Sequence, residues 1–266
     1  MKTTCVLAVA GSDSSAGAGL QADLKTCAAL GVYAATAVTA ITAQNSLGVD
    51  RVEPVSPMMV KQQMLSVLRD LPVSVIKIGM LGDVGVVEAV CDALDDYPDL
   101  PVVLDPVLIS SSGRVLLDEA GKQLMIERLF PRVALLTPNL AEAACLAGVS
   151  EQSADSDPEA VVRVVAGLGV GAVLLKGGHR TGEYCEDLLW AGGKLRRYRA
   201  TRLAVQNNHG TGCTLASAIT ANLAKGAALA DAVGSAKSYL TKALESADLL
   251  SVGQGHGSVN HFGWSS

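Results

Sequence analysis

A chain of 266 residues is long enough to bury a full core, and no Pro-, Gly- or Ser-rich linker divides it, so residues 1–266 are expected to form a single domain. A formal net charge of −5 with only 3% aromatic residues speaks against a basic, base-stacking nucleic-acid surface, so any anion has to be met by local geometry. The six cysteines (Cys5, Cys27, Cys91, Cys145, Cys185 and Cys213) contain no C-x-x-C pair, which argues against a zinc cluster or a disulfide framework and points to a reducing cytoplasm.

The first apolar run, Cys5 to Ala10, follows Lys2 and ends Ala8-Val9-Ala10, yet six apolar residues are too few for a signal peptide, and it reads as a buried strand. Leu20, Leu24 and Cys27 then keep an i, i+4, i+7 helical face. Eighteen residues without charge, Thr26 to Ala43, approach the length of a membrane span, but Gly31 splits them into a helix end and a β-branched strand, Thr36 to Thr42. No membrane association is expected. Further strands are predicted at Val75 to Gly79, Val102 to Asp105, Ala134 to Thr137 and Ala172 to Lys176. Helical faces are predicted on Val84, Val87 and Cys91 and on Val161, Val164 and Leu168. The Gly167-Leu168-Gly169-Val170-Gly171 run follows a helix and precedes a strand, the reverse of a dinucleotide fingerprint, and reads as a C-cap and turn. Asp187 to Ala191, Gly192-Gly193 and Leu195 to Tyr198 read as a hairpin. A helix follows from Leu215 to Leu223, and from Leu250 a glycine-rich tail with His256 and His261 is read as solvated and packed on the body rather than as a metal site.

Strands that alternate with helices and lack a polar face indicate an α/β protein with a mostly parallel sheet covered on both sides. Polar and glycine residues gather directly after the strands: Gly11-Ser12-Asp13, Gln44-Asn45, Gly79-Met80, Asp105-Pro106, Pro138-Asn139 and Lys176-Gly177-Gly178-His179. Ligands of open α/β sheets bind at the carboxyl ends of strands, so these clusters are expected to line one crevice.

Within that frame the segment Asn208-His209-Gly210-Thr211-Gly212-Cys213-Thr214 carries the most information. Two glycines around a threonine let successive N–H groups converge, and the helix dipole adds to the same spot, which suits a phosphate. Cys213 would sit at the helix N-terminus, where oriented N–H groups lower a thiol pKa. The competing reading is a glycine-rich helix entry with a buried cysteine. There is no G-x-x-x-x-G-K-[ST], so a P-loop is excluded. Phosphoryl transfer still needs only an anion hole, a cation and Mg²⁺. Lys176 ends a strand and can meet a phosphate, while Asp105, Asn139 and Glu142 are oxygen donors of the kind Mg²⁺ accepts. Each also has a plainer reading: Lys176 as a solvated strand-end charge, Asn139 as a helix cap, Glu142 as its capping-box partner.

Six motifs in order, Ala10 to Lys25, Thr39 to Asn45, Lys77 to Leu81, Thr137 to Ala143, Leu175 to His179 and His209 to Thr214, together with the Gly255-His256-Gly257 and His261-Phe262 tail, closely resemble the hydroxymethylpyrimidine/phosphomethylpyrimidine kinases of thiamine biosynthesis. The resemblance implies a three-layer α/β/α ribokinase-like fold, Mg-ATP as phosphoryl donor, a homodimer, and two successive phosphorylations of an aminopyrimidine alcohol. It implies that Gln44 pairs with the pyrimidine edge, that Gly11, Asp23 and Met80 wall the substrate pocket, and that Lys176, Thr211 and Gly212 face the ATP phosphates. It further implies that Asp105, Asn139 and Glu142 organise Mg²⁺ and that Gly210, Thr211, Gly212 and Cys213 form the catalytic anion hole. Sugar kinases of this fold carry an aspartate base where Cys213 stands; a carboxylate there would repel an already anionic monophosphate, whereas a thiol tolerates both acceptors.

Two departures qualify the likeness. Ile109-Ser110-Ser111-Ser112-Gly113 stands where the family has an alanine or cysteine followed by lysine, so loop closure is expected to lack one cation. The same loop lacks the cysteine that resembling pyridoxal kinases pair with the Gly-Thr-Gly-Cys cysteine, which weakens a pyridoxal/pyridoxine kinase reading. A non-catalytic pyrimidine-binding module is the alternative from another class, and Lys176, Glu142 and the Gly-Thr-Gly-Cys turn argue against it.

Overall fold

The computed structural model describes residues 3–109, 115–178 and 182–262. Its elements run β1 (Cys5–Ser12), α1 (Gly19–Ala29), β2 (Tyr33–Asn45), β3 (Gly48–Pro54), α2 (Pro57–Asp70), β4 (Val73–Ile78), α3 (Val84–Asp95), β5 (Val102–Leu104) and α4 (Glu119–Leu124). There follow β6 (Val133–Leu136), α5 (Leu140–Ala147), α6 (Glu151–Ser156), α7 (Pro158–Ala166), β7 (Ala172–Leu175), β8 (Tyr184–Ala191), β9 (Lys194–Thr201), α8 (Thr211–Ala224) and α9 (Leu229–Glu245). The strands form one sheet in the order β3-β2-β1-β4-β5-β6-β7-β8-β9. Neighbours from β2 to β7 are parallel, whereas β3, β8 and β9 pair antiparallel with the strands beside them.

Because side chains alternate across a strand, each parallel strand feeds two cores. Leu7, Val9, Ile76, Ile78, Leu104 and Leu136 pack under α2, α3, α5 and α7. Val6, Val75, Val103, Leu135 and Leu174 pack under α8 and α9 on the other face, together with Cys27 of α1. Burial on both faces explains why these strands read as unbroken apolar runs, and it makes the architecture three-layered. The chain leaves β1 to pair β2 on one side and returns to place β4 on the other, so the order reverses at β1; such a reversal opens a crevice at the carboxyl ends.

All six predicted interior strands and the hairpin at Gly192-Gly193 form. Gly167 caps α7 and Gly169 takes a φ of 105°, as a turn requires. Three expectations are corrected. Leu24 and Val164 are exposed, while Asp23 and Val165 take the buried positions. Val84 also faces outward, with Val86 buried in its place. The tail follows its expectation, with residues 251–256 exposed and Val259 and His261 packed into the body. No helix among the described residues is long and apolar enough to cross a membrane.

Candidate active site

The glycine-rich loop after β1 is built around Asp13. Its carboxylate accepts from the backbone N–H groups of Ser15, Gly17 and Ala18, from the Ser15 hydroxyl and from the His209 ring at 2.9 Å. Burial would raise the Asp13 pKa, but these donors, His209 first among them, hold it far below the usual carboxylate range. The loop is thereby closed onto the Gly210 turn: a Cβ on Gly210, whose φ is 82°, would collide with the Gly17 carbonyl oxygen. Gly210 is the N-cap of α8, so the helix begins one residue before Gly212. The N–H groups of its first turn lack intrahelical partners, as in any helix.

A cation stands against this turn. Lys176 donates to Asp105 at 2.6 Å, and a Cβ on Gly212 would lie 3.3 Å from Asp105 Oδ2 and 3.4 Å from Lys176 Nζ. Burial pulls the ammonium pKa down, yet the Asp105 and Glu142 carboxylates outweigh it and hold it above the ordinary lysine value. Glu142 is itself pushed up, first by burial and then by Asp105, against the opposing pull of Lys176. The bland reading of Asn139 is realised at the same time. Its side chain accepts from the Glu142 N–H at 2.9 Å, and Glu142 Oε2 accepts from the Asn139 N–H at 2.8 Å, a complete capping box on α5. The Asn139 side-chain oxygen and Glu142 Oε2 are both spent on this cap, and Asp105 and Glu142 are the charged oxygen donors beside Lys176. Among the described residues no three His, Cys, Asp or Glu side chains gather into a ready metal cage.

Gln44 and Met80 border the opposite side of the crevice. Gln44 Nε2 stands 3.2 Å from His209 Nε2, and the Met80 methyl lies where a Cβ on Gly11 would have to fit, so a larger residue at Gly11 would have to displace the end of the Met80 side chain. Asp23 is not on the wall. It is fully buried and accepts from both sides of a closed network, Lys77 Nζ at 2.9 Å to each oxygen and Ser217 Oγ at 2.6 Å, beneath the first turns of α8. Lys77 thus meets both carboxylate oxygens; Asp23 holds the Lys77 pKa above its ordinary value against the pull of burial, while burial pushes Asp23 up against the opposing pull of Lys77 and Ser217. Cys213 also departs from expectation. Burial raises its thiol pKa to about 11; Lys77 and the Gly19 backbone oppose this, and Asp23 and Asp105 add to it. Two residues were not singled out from sequence, Lys77 and His209. Lys77 interrupts an otherwise apolar strand, which is the signal a buried partner leaves; His209 carried none beyond its place in the glycine motif.

A family model described as phosphomethylpyrimidine kinase matches residues 13–260. The chain belongs to the phosphomethylpyrimidine kinase family. It is 46% identical to the hydroxymethylpyrimidine/phosphomethylpyrimidine kinase of Rhizobium meliloti over 98% of this chain and 97% of that one. It is 43% identical to the Escherichia coli enzyme of the same name, over 98% of both. Among solved structures, the ADP complex of Bacillus subtilis pyridoxal kinase superposes with a TM-score of 0.91 at 31% identity and 99% coverage of each chain. Phosphomethylpyrimidine kinase from Clostridium difficile gives 0.79 at 38% identity, over 91% of this chain and 99% of that one. Kinase chemistry on a ribokinase-like scaffold, within the thiamine pathway, follows from this membership. Residues 110–114, where the loop lacks its lysine and second cysteine, and His179 lie outside the described residues.

Proposed function

We propose that the chain transfers the γ-phosphoryl group of ATP to 4-amino-5-hydroxymethyl-2-methylpyrimidine and then to the resulting monophosphate. The observation that carries this reading is the Lys176–Asp105 pair set against Gly212 at the N-terminal turn of α8. Converging N–H groups and an ammonium meet the charge of a phosphoryl group in flight, and that is most of what phosphoryl transfer asks of a protein. Gly210, Thr211 and Gly212 supply the N–H groups; Lys176 with Thr211 and Gly212 faces the donor phosphates. The Gln44 amide reads the aminopyrimidine edge, with Gly11 and Met80 as walls, and Asp23 supports the pocket from beneath. Mg²⁺ fits the oxygen donors present, since it takes one or two carboxylates, here Asp105 and Glu142, and completes its shell with phosphate oxygens and water. When bound it neutralises charge on the phosphates. Cys213, protonated at neutral pH, presents a small uncharged surface to either acceptor. A loose transition state bonds the acceptor oxygen late, so the hydroxyl keeps its proton for most of the path and needs no strong base. The six unpaired cysteines suit a reducing cytoplasm, and the family likeness supports a homodimer.

ATP consumption measured with the pyrimidine alcohol, its monophosphate and pyridoxal tests the assignment. Turnover with both pyrimidines is expected, with Lys176→Ala slower by about ten- to a thousand-fold. Gln44→Ala should raise the pyrimidine KM by about tenfold and leave that of ATP in place, as loss of a buried hydrogen-bond pair predicts. ATP consumption indifferent to either pyrimidine would overturn the reading.

A further inference from the structure

Lys237 on α9 and Asp187 on β8 lie outside the site just described, and both side chains are buried, 10% and 3% exposed. The ammonium donates to Asp187 Oδ2 at 2.7 Å and to Cys185 Sγ at 3.4 Å. Around them α9 buries Val233, Ala236 and Leu240. A buried ion pair in such surroundings gains little over an apolar pair of equal volume, so stability alone does not account for it. The second carboxylate oxygen does other work. Asp187 Oδ1 accepts from the Gly177 N–H at 2.8 Å.

Gly177 follows Lys176 directly, where the chain leaves β7. The β7–β8 ladder ends at the Leu175–Leu188 pair, so it offers the Gly177 N–H no backbone acceptor, and a buried donor without one is costly. The approach here is close, because a Cβ on Gly177 would collide with the Glu186 carbonyl oxygen. On its other side the Lys176 N–H donates to the Pro138 carbonyl at 2.9 Å, at the exit of β6. The Lys176 backbone is thus gripped from two directions, by β6 through Pro138 and by β8 through Asp187.

We propose that Lys237 is a positioning residue for phosphoryl transfer: it neutralises and orients Asp187, which holds the Gly177 N–H and so aims Lys176 at the donor phosphates. The proposal rests on the assignment of Lys176 made above. It couples α9, which carries no residue of the site, to the nucleotide side of the crevice alone.

The test compares KM for ATP with KM for the pyrimidine in Lys237→Met, Asp187→Asn and the double variant Asp187→Asn/Lys237→Gln, with Lys176→Ala as reference. In Lys237→Met the ATP KM should rise about tenfold or more, the size expected for one charge-assisted hydrogen bond, while the pyrimidine KM holds. Asp187→Asn alone sets an amide NH₂ against an ammonium and should behave similarly. The double variant restores an uncharged hydrogen-bond chain, amide to amide to Gly177, and should bring the ATP KM back towards the parent value. A structural role would not produce that recovery, nor confine the loss to ATP. An unchanged ATP KM in Lys237→Met, equal losses for both substrates, or a double variant no better than Asp187→Asn overturns the proposal. Should Lys237→Met fail to fold, the last two variants decide it. If Lys176→Ala leaves both ATP KM and turnover intact, the site assignment has failed, and the proposal falls with it.

Discussion

The sulfur of Cys213 lies in the fields of two ammonium groups, Lys77 and Lys176, and two carboxylates, Asp23 and Asp105, at the mouth of a helix whose dipole favours negative charge. Sequence alone shows the helix terminus and the glycines, which argue for an activated thiolate. It does not show that partial burial of Cys213 outweighs its neighbouring cations, or that those cations, Lys77 and Lys176, are already paired with Asp23 and Asp105. Burial prevails, and at a pKa of about 11 only roughly one thiol in ten thousand is ionised at pH 7. Iodoacetamide should therefore alkylate Cys213 slowly at neutral pH, with a rate that climbs without a plateau to pH 10. A rate already flat by pH 8 would show a thiolate activated by the helix terminus and overturn the neutral thiol. The Lys77–Asp23 pair was only half legible for a related reason: the lysine in an apolar strand signals a buried partner, but that partner stands 54 residues away on another element, and a single sequence does not say which carboxylate it is.

At the level of elements, the same pair explains a misread helix. Spacing favours Leu20, Leu24 and Cys27 as the inner face of α1, but the helix turns Asp23 inward to meet Lys77 and leaves Leu24 outside. β3 escaped prediction because Asp50, Arg51 and Glu53 give it no apolar face, and it forms only as the antiparallel return of β2. The interior strands were legible because burial on both faces leaves valine and isoleucine runs. The tail illustrates a different limit. His261 is 2% exposed, its ring sits 3.0 Å from Thr214 Oγ1 in the first turn of α8, and burial, with Lys25 adding, lowers its pKa to about 4. The unfolded chain takes up this proton near pH 6.5 and the folded chain only near 4. The contribution is thus complete above pH 6.5 and is lost as pH falls towards 4, roughly 3 kcal/mol in all. Urea midpoints measured at pH 7 and pH 4.5 should separate less in His261→Asn than in the parent. Equal separations would mean that the histidine stays neutral for other reasons or titrates outside the folded core.

For the molecule as a whole, the two faces of the sheet divide the labour. The layer of α1, α8 and α9 carries the anion turn, the Lys77–Asp23–Ser217 network and Lys237, whereas α2 to α7 bury larger aliphatic residues and contribute Asn139 and Glu142 only at the head of α5. The sheet's termini follow another rule. Every parallel strand is interior, and the two open edges belong to β3 and β9, which run antiparallel to their neighbours. Four of the eight residues of β9, Lys194, Arg196, Arg197 and Arg199, are cations, and a second β9 approaching that edge would set like charges about 5 Å apart. The unpaired amides of a nine-stranded sheet are an invitation to intermolecular strand addition, and here electrostatic repulsion declines it. Replacing Lys194 and Arg196, the two whose side chains are not spent on Glu159 or Glu186, with threonine should cause concentration-dependent association visible by light scattering at low salt. In the parent the same tendency should emerge only as added salt shortens the screening length below about 5 Å, so that colloidal stability of this enzyme is written into one strand.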